Sequence, residues 1–188
     1  MPFVIRDGVF ETNSSSCHSI VLEIRGPKRD KLPISREGKC VIQAGQFGWG
    51  VDEFKDAYHK ASYCLTWAMS FFKGSVQWKY TRKLIEAISQ HMGIEENQIE
   101  FKMVSKERNW DGDEDWGYID HASDSVCEGV FESVDRLKAF IFNKKSILRI
   151  DNDNKEYDTL NEVYLPYEGP FVVKKNGVVE KRKDRLKV

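Results

Sequence analysis

The stretch Glu11-Thr12-Asn13-Ser14-Ser15-Ser16-Cys17-His18-Ser19 places a thiol, an imidazole and three consecutive hydroxyls close together. Thiolate and imidazole donate well to a borderline-soft ion such as zinc. Clustered hydroxyls can orient a phosphate or another ligand. The same side chains compete for backbone hydrogen bonds, so they equally suit a capped polar turn before a strand. A second group is Ile119-Asp120-His121-Ala122-Ser123-Asp124. An Asp beside a His can orient the imidazole, stand behind it as a partner, or bind metal itself; a solvated strand end is the plainer alternative. A third, Asp151-Asn152-Asp153-Asn154, superficially resembles an oxygen-ligand calcium loop. Glu156 stands where that loop needs glycine, and Glu162 falls at the twelfth position after an unsuitable run, so an EF-hand is rejected. A turn of Asx residues is the simpler account.

No Walker loop, G-x-S-x-G, H-E-x-x-H or C-x-x-C is present. His59 and His91 fall within or at the end of expected helices and are read as structural or surface residues. Cys40 and Cys64 fit apolar faces and are read as core. Four cysteines in 188 residues are too sparse for a disulfide scaffold, so reduced thiols and an intracellular, cytoplasmic setting are expected. Met1–Asp7 has no charged start followed by a long apolar run, and no stretch approaches the ~20 apolar residues of a membrane helix.

Charge separates further classes. Lys and Arg number 29 against 30 Asp and Glu, which leaves no global field to steer the chain onto nucleic acid or an anionic membrane. No direct nucleic-acid binding is expected on that ground; any such contact must come from a local patch. The distribution is uneven, however. Between Glu107 and Glu132 stand Asp111, Asp113, Glu114, Asp115, Asp120, Asp124 and Glu128 against Arg108 alone. That stretch also carries Trp110 and Trp116. It suits either a solvated acidic loop or a phosphate-mimicking surface that docks on a basic groove. The basic residues of 181–188 are too few to argue for DNA binding alone.

The elements that must position these groups follow from periodicity. Ser19–Ile24 and Lys39–Ala44 read as strands, and Gly45–Gly50 as a glycine–aromatic turn. Phe54, Ala57, Tyr58, Ala61, Leu65, Ala68 and Phe72 recur at helical steps, with Asp52 and Glu53 suited to the helix start and Gly74 to its end. A second helix is expected over about Trp78–Met92 with Gly93 as its stop. A strand is expected over Asn97–Val104, with Ile99, Phe101 and Met103 on one face. Ser133 should cap a third helix running to Phe142, and Ser146–Ile150 should form a strand. Asn176-Gly177 between β-prone runs predicts a C-terminal hairpin. These elements make an α+β domain over residues 1–180: about three helices on a mainly antiparallel sheet, followed by a basic tail at 181–188.

Gly8-Val9-Phe10-Glu11-Thr12-Asn13-Ser14-Ser15-Ser16-Cys17-His18-Ser19 resembles the N-terminal signature F-E-T-N-S-S-S-x-H-S of a family of small phage and prophage proteins. Gly117–Ser123 is similar to that family's Y-I-D-H-x-S block. Leu137–Asn154 is similar to its helix, F-x-F-N, strand and N-D-N turn. The family usually has Gly where this chain has Asp151, and Ser or Thr where it has Cys17. The resemblance implies that His18, Asp120, His121 and Asp153 form one polar cluster. A zinc ion held by His18, His121, Cys17 and Asp153 is the expected cofactor. A closed set of four protein ligands would be structural, whereas three would leave a position to activate water.

Small phage proteins of this kind often act on host machinery, and some resemble type II anti-CRISPR inhibitors. The expected function is a phage-encoded inhibitor of a bacterial antiviral defence protein, with a Cas effector nuclease as its target. Trp110, Asp111, Asp113, Glu114, Asp115 and Trp116 are the expected partner-binding residues. The alternative is a metal-dependent hydrolase or nucleotide-processing enzyme in which a Ser of 14–16 contacts phosphate.

Overall fold

A computed structural model describes residues 16–48, 52–102, 117–119 and 126–152, together with the strand backbones 3–6, 171–173 and 179–181. The architecture is α+β. Strands β1 (Phe3–Arg6), β2 (Ser16–Leu22), β3 (Cys40–Gln43), β4 (Gln46–Phe47) and β5 (Asp52–Phe54) come first. Helices α1 (Ala57–Phe71) and α2 (Gly74–Met92) follow, then β6 (Ile99–Lys102) and β7 (Tyr118–Ile119). Helices α3 (Glu128–Phe131) and α4 (Val134–Phe142) precede β8 (Ile147–Asn152), β9 (Phe171–Val173) and β10 (Val179–Lys181).

The principal sheet is antiparallel with strand order β1-β2-β8-β5. Its inner face follows the two-residue period of a strand: His18, Ile20 and Leu22 are buried in β2, while Ser19 and Val21 are half-buried. Register sets Ile20 opposite Leu148, and Leu148 opposite Phe54, so one apolar row crosses three strands. Two short parallel ladders accompany this sheet, β3 with β6 and β4 with β7. Strands β9 and β10 pair antiparallel, with Val173 opposite Val179, as the hairpin expectation requires. Lys181, assigned to the tail from sequence, closes β10.

Helix α1 is the centre of the molecule, with every residue from His59 to Ala68 buried. The Asp56 carboxylate caps it by accepting from His59 N at 2.9 Å. Asp52 and Glu53, expected at the helix start, instead lie in β5. An acidic pair before a helix resembles a cap, but pairing with β8 draws these residues into the sheet. Gly74 likewise does not end α1; it opens α2, which therefore starts one turn before Trp78. Only Phe72 and Lys73 separate the two helices, so a glycine suited to end the first falls at the start of the second. Gly93 ends α2 in the left-handed region as expected, with its N–H donating to Ser89 O. Ser133 caps α4 through Arg136 N, and α4 buries Leu137, Phe140, Ile141 and Phe142. The short α3 is an element the apolar periodicity does not announce.

Candidate functional site

The β2–β8 ladder brings two distant candidate segments together. Ser16 stands opposite Asn152, Cys17 opposite Asp151 and His18 opposite Ile150. Cys17 and His18 thus share a sheet end with the strand that leads directly to Asp153. The His18 side chain is buried, 2% exposed, and faces α1. Its Nδ1 lies 3.0 Å from the hydroxyl of Tyr63, a fully buried residue of α1, and the two rings stack with centroids 5.8 Å apart.

That hydrogen bond fixes what His18 can do. With Nδ1 at 3.0 Å from the Tyr63 hydroxyl, an ion would have to approach this ring through Nε2. Metal binding there requires the proton on Nδ1, so His18 would then donate to the tyrosine oxygen. This is the usual arrangement of a ligating histidine held by a partner behind it.

A second route converges on the same tyrosine. Tyr63 meets Phe47 edge-on at 5.1 Å, and Phe47 pairs with Ile119 across the β4–β7 ladder. The strand that runs into Asp120 and His121 therefore borders the aromatic group that holds His18. Asp120, His121 and Asp153 themselves lie outside the described residues, as does the Cys17 side chain. Among the described residues no group of three His, Cys, Asp or Glu side chains could hold a metal ion.

The acidic segment has a defined base. Residues 103–116, including Trp110, Asp111, Asp113, Glu114, Asp115 and Trp116, lie outside the described residues, but both flanking residues are fixed. Ala44 N donates to Lys102 O at 2.9 Å. Gly117 adopts φ +91°, and a Cβ built on it would meet Ala44 Cβ at 3.0 Å, Gly45 O at 3.2 Å and Thr66 Cγ2 at 3.3 Å. Thr66 Oγ1 in turn accepts from Gly45 N at 2.9 Å. The chain leaves and re-enters the fold at one place, Ala44–Gly45, and a side chain at the re-entry would be strained.

Other polar residues sort into internal ties. His59 is buried and its Nδ1 pairs with both Asp56 oxygens at 2.9 and 2.8 Å. Burial opposes ionisation of Asp56, yet the hydrogen bonds and charge of His59 outweigh it and hold the carboxyl below its ordinary range. His91 stacks on Phe142 at 3.7 Å and donates from Nε2 to Asp30 O at 2.9 Å. Burial, chiefly, lowers its pKa. Cys40, Cys64 and Cys127 are buried free thiols. Burial pushes Cys40 up to about 11, and burial together with the neighbouring Cys64 raises Cys127, so reactive thiolate is disfavoured at both.

The sequence reading missed Lys60. It is fully buried, and its Nζ donates to Asn143 O and Ser146 O, each at 3.0 Å. A lysine in the middle of an otherwise uncharged helical stretch, Tyr58 to Phe72, was the available signal. Tyr63 was missed as well; a tyrosine on a helix face with no solvent-facing side must find a partner for its hydroxyl. Comparison with family models, with curated proteins and with solved structures gave no match for this chain.

Proposed function

We propose that this chain is a phage-encoded inhibitor that binds and blocks a bacterial antiviral defence protein, with a Cas effector nuclease as target. The observation that carries this reading is the anchorage of the acidic, tryptophan-bearing segment. Lys102 and Gly117 hold both of its ends against Ala44–Gly45. A fixed base lowers the ordering cost of docking. The carboxylates of Asp111, Asp113, Glu114 and Asp115 match a groove that otherwise holds the phosphates of a nucleic acid. Trp110 and Trp116 supply the large contact area typical of interface anchors. The resemblance to small phage proteins supports the same assignment. A zinc ion held by His18 Nε2, His121, Cys17 and Asp153 would pin the opening segment to the strand leading into residues 120–121. No helix among the described residues is long and apolar enough to cross a membrane.

The test is titration of the purified chain into DNA-cleavage reactions of type II effector nucleases. Cleavage should stop near one equivalent. Asp111→Asn, Asp113→Asn, Glu114→Gln and Asp115→Asn together should relieve the block. Undiminished cleavage by every nuclease at excess inhibitor would defeat the proposal. Turnover of a phosphodiester or nucleotide by catalytic amounts of the chain would replace it with the hydrolase reading.

A further inference from the structure

We propose that Cys64 and Cys127 are a redox pair that a small hydroperoxide closes to a disulfide, tying the middle of α1 to the start of α3. The pair lies apart from the His18 strand end and does not depend on the inhibitor reading.

Two distant stretches of chain bring these thiols together. Cys64 lies within α1 and Cys127 is the N-cap residue of α3; both are fully buried and free. Trp67, three residues after Cys64, stacks on Phe131, four residues after Cys127, with ring centroids 5.1 Å apart. One turn back along each element, the Cys127 thiol donates to Cys64. A third group completes the cluster. Lys60 is fully buried one helical turn before Cys64, so the two share a face of α1. Its charge interacts with that of Cys64. A buried ammonium is the counter-charge that a thiolate intermediate needs in an apolar core. Cys40 is also a buried free thiol, but burial alone acts on it.

The step balances with hydrogen peroxide as the oxidant. The Cys64 thiolate attacks one peroxide oxygen and the O–O bond breaks; the departing hydroxide takes the proton that Cys64 gave up and leaves as water. The Cys127 sulfur then attacks the sulfenic acid on Cys64. The S–O bond breaks, the S–S bond forms, and a second water leaves with the Cys127 proton. The two thiols together lose two electrons, and the peroxide gains them. Because both sulfurs are buried, the oxidant must enter through a local opening, which favours a small uncharged molecule over a bulky charged one such as oxidised glutathione. Helix α3 has only four residues, Glu128–Phe131. A helix that short has no stability of its own, so the core can open there.

The experiment treats the folded full chain with hydrogen peroxide, quenches with catalase, alkylates the remaining thiols in denaturant and maps the digest by mass spectrometry. Two of the four thiols should escape alkylation, and the linked peptides should be those holding Cys64 and Cys127. Dithiothreitol should reverse the change, and oxidised glutathione at equal concentration should close the pair more slowly. The bridge encloses a long loop, so the oxidised chain should melt higher by on the order of 5 °C. Cys127→Ala should leave a sulfenic acid on Cys64 that dimedone traps, and Lys60→Met should slow closure severalfold. Mapping the wild type requires no substitution, so the test stands even where a variant folds poorly. The proposal is overturned if the folded chain forms no link between Cys64 and Cys127, if the link joins Cys17 or Cys40 instead, or if closure occurs only in denaturant.

Discussion

Replacing Lys60 by methionine should change how stability depends on pH, and in a direction opposite to that of an exposed, ion-paired lysine. The Lys60 ammonium sits in the core between α1 and the link joining α4 to β8, over the Phe140 ring at 5.8 Å. Burial lowers its pKa from the ordinary 10.5 to about 8; the nearby carboxylates of Asp30 and Asp56 offset this only in part. The unfolded chain keeps the ordinary value, so between these two pH values it binds the extra proton. Raising pH across that window therefore favours the folded state, by up to ~3 kcal/mol. The neutral amine still has two N–H groups for its two carbonyl acceptors, so the hydrogen bonds survive deprotonation. Methionine keeps the volume and removes the buried charge; Asn143 O keeps Ser146 N as a donor, but Ser146 O loses the Lys60 donor, at ~1–3 kcal/mol. Near neutrality the two effects oppose and the variant should lie within about 2 kcal/mol of wild type. In urea titrations from about pH 7 to about pH 10, the wild-type advantage over the variant should grow by ~2–3 kcal/mol. A difference that stays constant or shrinks across that range would refute the argument that desolvation dominates at Lys60.

Other perturbations read other parts of the same architecture. Asp56→Ala removes the α1 cap and the partner of buried His59, and should cost ~2–3 kcal/mol in denaturant unfolding. Because the Asp56 pKa is lowered on folding, its contribution is fully present above the ordinary carboxylate range and is lost as pH falls from that range through the lower folded-state value, so the two melting curves should converge in acid. Gly117→Ala forces a side chain into a left-handed backbone against Ala44 and should lose about 2 kcal/mol, or roughly 4–8 °C in melting temperature, while weakening partner binding. Metal analysis of protein purified with zinc should find the ion in the wild type and lose it in His18→Ala and His121→Ala, with a lower melting temperature on chelation; equal, metal-free preparations would remove the zinc proposal.

Local signals carried most of the elements. Ser133 and Gly93 act within a few residues and stand where the sequence places them, whereas β2 runs over Ser16–Leu22 rather than the expected Ser19–Ile24, because pairing with β8 from Asn152 onward draws Ser16–His18 into the sheet. Pairing was less legible, because Ile42 meets Phe101 and Phe47 meets Ile119 through parallel ladders that no local pattern encodes. The polar residues of α1 show why the site was harder still. Ser62 donates to Gln43 O at 2.6 Å, Thr66 receives Gly45 N, Lys60 reaches Asn143 and Ser146, and Tyr63 meets His18. In sequence these are four of the polar residues of α1, and their burial alone implies that each needs a partner. Which partner each finds depends on how four different segments pack around one helix. Together they make α1 the common reference for β2, the β3–β4 corner and the start of β8. The strand end bearing Cys17 and His18 and the base of the acidic segment are therefore positioned by one element. A substitution that shifts α1, such as loss of its Asp56 cap, should disturb both at once, whereas Gly117→Ala acts at the base of the acidic segment and leaves the Tyr63–His18 contact in place.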